Sequence, residues 1–233
     1  MENASKFLLM AASFIFGLML IAVFIFVFRA GAKTNESYES KQSSLMLEAY
    51  NSKFEVYDKT NNTILDLVTL FNLAYDVNKS IDYDPQSAIE INAILNATSS
   101  PITLGISTIK KLEERNTIWY NGTYKISIYD ALNRKLFSGI PGEMSDFKIT
   151  QVAKPEVIAD FDGDGDTEEF TWPAEAVIKN TDTFLTTRYD SKKNKTIYKY
   201  VFTSKPDKTM YNQLTGKITY MEFEACFNYE YYL

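Results

Sequence analysis

The chain has 233 residues and is acidic, with 24 Lys and Arg against 30 Asp and Glu and a formal net charge of −6. Such a surface repels nucleic acid, so we expect no nucleic-acid partner. The single cysteine excludes an intrachain disulfide, and the lack of histidine removes the commonest general base and a favoured zinc ligand.

The first predicted element is the uncharged apolar run Phe7–Phe28, which follows a short leader of residues 1–6. At about 1.5 Å per residue, a run of this length spans a hydrocarbon core of about 30 Å. The alternative is a signal peptide cleaved near Ala30-Gly31-Ala32, but apolar stretches of signal peptides are shorter, about 7–15 residues. We therefore predict a transmembrane helix that contacts membrane lipid through residues 7–28.

Two further helical segments are predicted after this run. Residues 29–50 are interpreted as a helical stalk, because neither Pro nor Gly occurs from Ala32 to Tyr50. In Thr63–Lys79, apolar residues recur at three- and four-residue spacing, which predicts an amphipathic helix. Its apolar stripe is suited to core packing or to binding a partner, and we favour core packing.

The rest of the chain is predicted to be mainly β-strand. A short helical turn is predicted over Thr108–Arg115, and a hairpin is predicted around the polar turn between Tyr189 and Thr196. The predicted strands are Ala88–Ile94, Tyr124–Tyr129, Val157–Ala159, Glu169–Trp172, Phe184–Tyr189, Thr196–Phe202 and Ile218–Phe223. The predicted fold class is α+β: an N-terminal transmembrane helix continuing into a stalk, an amphipathic helix, then a mainly antiparallel β-sheet head. Residues 51–233 form one domain in this interpretation.

The most specific chemical motif begins at Asp160 and reads DFDGDGDTEEF. Asp160, Asp162 and Asp164 stand at alternate positions, Asp166 is placed to offer its backbone carbonyl, and Glu168 is placed to close the shell. Hard oxygen ligands at this spacing are what calcium requires. The five residues predict a calcium site of structural role, and the alternative is an acidic hairpin turn without a metal.

The flanking segments decide which kind of calcium loop this is. A helical EF-hand requires Glu at position 12, which here is Thr171, and both flanks read as strands. The loop instead resembles the calcium loops between strands of integrin-type and bacterial adhesin-type β-repeats. That resemblance implies a calcium ion held by residues of the DxDGDGxxE pattern, from Asp160 to Glu168.

No active site is indicated. Without histidine there is no Ser-His-Asp or Cys-His arrangement, and nothing singles out a Ser/Lys pair. Cys226 stands among apolar and aromatic residues and is predicted to pack. The aromatic C-terminus, FNYEYYL, is interpreted as a last segment covering the core, with a docking patch as the alternative. We expect a non-enzymatic protein with no small-molecule substrate.

Three segments, ENASKFLLMAASFIFGLML, NSKF…Y…DLVTLFNLA and YNQLTGKITYMEFE, together resemble single-pass, type IV pilin-like membrane proteins of Gram-positive anaerobic bacteria. The resemblance implies an accessory protein of a surface pilus or secretion-type assembly, with membrane proteins of that assembly as partners. Lys6 precedes the apolar run where pilins have a Gly or Ala cleavage site, which favours an accessory protein over a filament subunit.

The acidic domain is expected outside the cell, because a calcium loop of this type needs the high calcium found there. Flanking charges argue the other way, since Arg29 and Lys33 follow the apolar run and Lys6 precedes it. The alternative function is a membrane-anchored, calcium-dependent binding module for a surface ligand.

Overall fold

The architecture is taken from a computed structural model, in which the chain divides into two compact units, Met1–Tyr50 and Asn51–Leu233. The residues that the structure describes are 19, 21, 23–27, 29, 41–80, 88–97, 102–106, 117–120, 124–127 and 149–233.

The N-terminal prediction needs a correction. The leader and most of Phe7–Phe28 lie outside the described residues, and the described ones, such as 23–27, are helical. Across the described part of the chain, no helix is both long enough and apolar enough to cross a membrane. The two longer helical stretches, residues 41–55 and Ile64–Ser80, carry charged residues, and a span needs about 20 predominantly apolar ones. The predicted fold class is therefore wrong in assigning a transmembrane helix.

Helix α1 covers residues 41–55, and its last turn belongs to the second unit. Phe54 in this turn is fully buried. The Asn51 side chain donates to the backbone carbonyl of Gly216 at 3.0 Å and accepts from the Ile218 N–H at 3.0 Å. These bonds attach the end of α1 to the turn before the last strand.

Helix α2, Ile64–Ser80, confirms the helix predicted over Thr63–Lys79. Thr63 and Asp66 cap it reciprocally: the Thr63 N–H donates to Asp66 Oδ2 at 2.8 Å, and the Asp66 N–H donates to Thr63 Oγ1 at 3.2 Å. One face is buried, and the helix lies against three strands of the main sheet. The buried residues of that face are Ile64, Leu67, Leu70, Phe71, Ala74, Tyr75 and Asn78. The apolar stripe thus packs in the core, as favoured from the sequence.

The described chain contains twelve strands. In order they are β1 Glu90–Ala97, β2 Ile102–Ile106, β3 Thr117–Tyr120, β4 Tyr124–Ser127, β5 Ile149–Gln151, β6 Ile158–Ala159, β7 Glu168–Glu169, β8 Thr187–Asp190, β9 Lys195–Tyr198, β10 Tyr200–Ser204, β11 Met210–Tyr211 and β12 Ile218–Phe227. The helical turn predicted over Thr108–Arg115 lies outside the described residues.

The main sheet has the order β10-β12-β1-β2-β3-β4, with β11 also pairing β12 and β5 also pairing β1. Strands β1 and β12 run parallel, with Glu90 opposite Tyr220 and Ile94 opposite Glu224, while the other pairs are antiparallel. The sheet is therefore mixed: most of its pairs are antiparallel, and the parallel pair β1–β12 is the feature that the prediction of a mainly antiparallel head did not include. Side-chain alternation along β12 reports which face is buried, but it carries no information on strand direction.

Two small antiparallel hairpins stand outside the main sheet: β6–β7 and β8–β9. In the second, Thr187 pairs with Tyr198 and Asp190 with Lys195, so the hairpin predicted around the polar turn is confirmed. Asn194 takes a positive φ of 49° in its turn.

Candidate metal centre

The acidic motif forms the connection of the β6–β7 hairpin. Ile158 pairs with Glu169 and Ala159 with Glu168, so the eight residues Asp160 to Thr167 lie between the two strands. A strand lies on each side of the loop, as predicted, but both are shorter than predicted: β6 is Ile158–Ala159 and β7 is Glu168–Glu169, so Phe170, Thr171 and Trp172 are not in a strand. The pairing of Ala159 with Glu168 therefore holds the two ends of the loop next to each other.

Backbone hydrogen bonds fold the loop around the Asp160 carboxylate. The Gly163 N–H donates to Asp160 Oδ1 at 2.6 Å, and the Gly165 N–H donates to Asp160 Oδ2 at 3.0 Å. Gly163 and Gly165 have φ values of +83° and +97°. A Cβ at either glycine would meet nothing within 4 Å, so glycine is required for the backbone conformation and not for space.

Three carboxylates converge in this loop. Asp160, Asp162 and Asp164 are all exposed, and each offers one oxygen that lies within 4.8 Å of the other two. Calcium–oxygen distances are about 2.3–2.6 Å, so two oxygens on opposite sides of one ion are about 4.6–5.2 Å apart. The spread of the three oxygens is therefore compatible with shared ligation of one calcium ion.

Asp166 and Glu168 are not members of this carboxylate cluster among the described residues. The Asp166 N–H donates to Asp164 Oδ1 at 2.8 Å, which places the Asp166 backbone beside the cluster. Glu168 is exposed on β7. It pairs with Ala159, and this pair is the one that directly adjoins the loop. Ligation through the Asp166 carbonyl and the Glu168 carboxylate stays a prediction.

An aromatic cluster lies under the hairpin. Phe161, from the loop itself, contacts Phe170 at a centroid distance of 5.7 Å and Tyr229 at 6.0 Å. Phe170 contacts Trp172 at 5.0 Å, and the Trp172 Nε1–H donates to the Pro155 carbonyl at 3.1 Å. The loop is thus packed against the C-terminal segment, a contact that sequence reasoning missed because the partners are distant in the chain.

The C-terminal residues continue this packing. Trp172 contacts Phe227 and Tyr232, and Tyr229–Tyr231 form a 3₁₀ turn capped by the Asn228 side chain, which accepts from the Glu230 N–H. Cys226 is buried, and burial raises the pKa of its thiol. A buried thiol with a raised pKa is a poor nucleophile, in agreement with the packing role predicted for Cys226.

A groove of about 360 Å³ lies beside β6. It shares Ile158 and Ala159 with the hairpin and Tyr229 with the aromatic cluster. Its lining residues are Thr60, Asn61, Pro155, Glu156, Val157, Ile158, Ala159, Val201, Thr203, Phe227, Asn228, Tyr229 and Glu230.

A second charged cluster is buried, and sequence reasoning missed it. Lys199 Nζ contacts Asp182 Oδ2 at 2.7 Å, and the same oxygen accepts from the Tyr200 hydroxyl at 2.7 Å and from the Lys179 N–H at 2.7 Å. Burial by itself raises the pKa of the Asp182 carboxyl, but these donors, Lys199 first, outweigh it and hold the pKa below its usual value. The one sequence signal was a lysine, Lys199, inside an apolar strand pattern.

No protein-family model matches this chain, and no curated protein or solved structure matches it significantly.

Proposed function

We propose that residues 51–233 are a non-enzymatic, calcium-stabilised module that works outside the cell as an accessory part of a surface pilus or secretion-type assembly. The observation that carries the calcium part is the convergence of one oxygen each from Asp160, Asp162 and Asp164 within 4.8 Å. A bound cation would offset the repulsion among these carboxylates and hold the two hairpin strands together. The assembly part rests on the resemblance of three segments to pilin-like proteins.

The expected role of the ion is structural. The loop is tied through Phe161 to Phe170 and Tyr229, so fixing the loop also fixes part of the aromatic cluster. Exposed carboxylates alone provide no substrate pocket, and the only cysteine is buried. These features favour stabilisation over catalysis.

Calcium titration by calorimetry tests the proposal. We expect the full chain to bind one calcium ion with a Kd of about 10⁻⁴–10⁻³ M, typical of extracellular modules. Asp162→Asn keeps an oxygen for the 3.2 Å bond from the Asp164 N–H but removes a charge, so it should weaken binding at least ~10-fold. Asp190→Asn is the matched control, because Asp190 also accepts backbone N–H groups in an exposed turn and lies outside the loop. Equal calcium binding by all three proteins would refute the site.

A second candidate function is a calcium-dependent binding module for a surface ligand. It is favoured by the groove that shares Ile158 and Ala159 with the calcium hairpin. Binding of the labelled chain to whole cells, with calcium and with chelator, separates the two functions. A binding module requires calcium for attachment, whereas an accessory protein co-sediments with the surface assembly of its own cell.

A further inference from the structure

The groove beside β6 follows this strand along its length, since the four consecutive residues 156–159 all line it. Strand β6 pairs with β7 on one side only, and no strand of the described chain pairs with its other edge. A strand edge of this kind presents backbone donors and acceptors that a further strand is able to pair with. The groove therefore lies where an extended segment of another chain has room to pair with β6.

The hydrogen bonds of the β6–β7 hairpin determine which backbone groups of β6 are free. The Phe170 N–H donates to the Val157 carbonyl at 2.8 Å. Hydrogen-bonded and non-hydrogen-bonded pairs alternate in an antiparallel ladder, so Ile158 and Glu169 form a pair of the second kind. The N–H and C=O of Ile158 therefore point away from β7, and within the described part of the chain neither has a hydrogen-bond partner. By the same alternation, the backbone groups of Glu156 point the same way.

The lining of the groove combines apolar and polar side chains. Its apolar part includes Ile158, which is 60% exposed, together with the buried side chains of Val201 and Phe227. Its polar part includes the hydroxyls of Thr60 and Thr203. The volume of about 360 Å³ lies within the usual range of ligand pockets, about 300–1,000 Å³. This combination suits a short extended peptide, whose backbone pairs with β6 while alternate side chains enter the groove.

The charges around the groove indicate which kind of peptide fits. The two charged side chains that line it, Glu156 and Glu230, are both acidic. Glu230 contacts Lys195 Nζ at 3.0 Å, and the nearby Lys154 Nζ lies 5.9 Å from the centroid of the Phe227 ring. Glu156 has no ion-pair partner in the described part of the chain. Because the whole chain has a net charge of −6, a second copy of it is repelled, and a basic segment of another protein is favoured.

We propose that the groove binds an extended, basic peptide segment of a partner protein, which adds as a strand to the free edge of β6. The backbone of the peptide pairs with the N–H and C=O of Ile158, an apolar side chain enters the groove, and a Lys or Arg pairs with Glu156. This inference rests on the second candidate function, a binding module, and names the class of its ligand. Calcium would fix the hairpin that contains β6, so the peptide should bind more tightly with calcium than with chelator.

Fluorescence anisotropy of the full chain with a labelled peptide of alternating lysine and valine tests the proposal. In calcium, the peptide should bind at low ionic strength and bind more weakly at high ionic strength, and a glutamate–valine peptide should not bind. The lysine–valine peptide with every backbone nitrogen methylated should bind at least ~5-fold more weakly, because it has no N–H to donate to the Ile158 carbonyl. No binding of the first peptide, or equal binding of its methylated form, would overturn the proposal.

Two pairs of variants locate the bound peptide. Ile158→Pro removes the N–H that points away from β7, while the bonds to β7 are made by Val157 and Ala159. It should bind the lysine–valine peptide at least ~5-fold more weakly than Ile158→Val, which keeps this N–H. Glu156→Gln should weaken binding at low ionic strength, whereas Glu175→Gln, an exposed residue outside the groove, should not. Equal binding by Ile158→Pro and Ile158→Val would place the peptide elsewhere and refute the proposal.

The failure of this inference is distinguishable from the failure of the proposed function. Calcium binding in calorimetry without any peptide binding would refute the peptide site and leave the calcium site in place. Peptide binding that is unchanged by chelator would support the peptide site and refute a calcium-dependent module. The comparison of the methylated and unmethylated peptides uses only the wild-type chain, so a variant that fails to fold does not affect it.

Discussion

Among single substitutions, we expect the largest loss of stability where the buried ion pair of Lys199 and Asp182 is broken. Lys199→Met should lower the free energy of unfolding by about 3–5 kcal/mol, because it leaves a buried carboxylate without its partner. Urea denaturation followed by tryptophan fluorescence measures this change. Lys195→Met, which breaks the exposed pair with Glu230, should cost only about 0–1 kcal/mol. Similar losses in both variants would contradict this account.

The buried hydroxyl of Tyr200 should make the stability of the domain sensitive to alkaline pH. Burial first, and the hydrogen bond to Asp182 second, raise the pKa of its hydroxyl above the usual value of 10.0. Because the folded-state pKa is the higher one, this stabilisation is fully present below the unfolded-state pKa of about 10 and is lost as the pH rises above it.

In the wild type, the free energy of unfolding should therefore fall above pH ~10 by up to about 1.4 kcal/mol per pH unit for this one proton. Tyr200→Phe should be less stable at neutral pH but should show a shallower alkaline decline. The measurement is urea denaturation at a series of pH values. Tyr232, whose pKa is also raised by burial, is present in both proteins, so the difference between their slopes reports on Tyr200. Identical slopes would rule out this role of Tyr200.

At the scale of elements, local patterns were enough where the determinants are close in sequence. Helix α2 was predictable from its apolar spacing, and the β8–β9 hairpin from its polar turn. The parallel pairing of β1 with β12 was not, because it joins strands more than a hundred residues apart through contacts that no local pattern encodes. The transmembrane assignment was wrong for the described part of the chain, where no helix has both the length and the apolarity of a membrane span.

The close approach of β1 and β2 makes Gly105 a sensitive position. A Cβ there would lie 2.2 Å from Asn92 Oδ1 and 2.5 Å from the Ile91 carbonyl oxygen, and the latter is backbone that cannot rotate away. Gly105→Ala should therefore destabilise the domain by about 1–3 kcal/mol in urea denaturation, as other overpacking changes do. Thr187→Ala, on the exposed face of β8, should stay within about 0.5 kcal/mol. If Gly105→Ala left the free energy of unfolding unchanged, this account would be contradicted, because β1 and β2 would then be able to move apart without a loss of stability.

The calcium loop depends on its left-handed glycines. Gly165→Ala should weaken calcium binding and cost about 1–2 kcal/mol, since φ is +97° and an L-residue is strained there although its Cβ would touch nothing. Gly165→Asn should lose less, because Asn tolerates positive φ better than Ala. Calcium titration of both variants measures the difference. Greater loss in the Asn variant would contradict a conformational role for this glycine.

At the scale of the whole molecule, the candidate metal centre was only partly predictable. The alternation of Asp160, Asp162 and Asp164 was sufficient to propose that their carboxylates converge, because the ligands lie within one short loop. The contact between Phe161 and Tyr229 could not be predicted from the sequence, because the two residues are distant in the chain and meet only in the folded protein. The loop, the aromatic cluster and the C-terminus form one contiguous region of the domain, so a cation bound at the loop should stabilise the domain and not only the turn.

Thermal unfolding of the full chain, with calcium and with chelator, tests this central claim most directly. At a calcium concentration one hundred times the Kd, binding should stabilise the native state by about 2.7 kcal/mol and raise the Tm by about 5–10 °C. Asp162→Asn, with binding at least ~10-fold weaker, should lose about half of this increase or more, while Asp190→Asn should keep it. An equal Tm in calcium and in chelator, for a chain that otherwise unfolds cooperatively, would contradict the account.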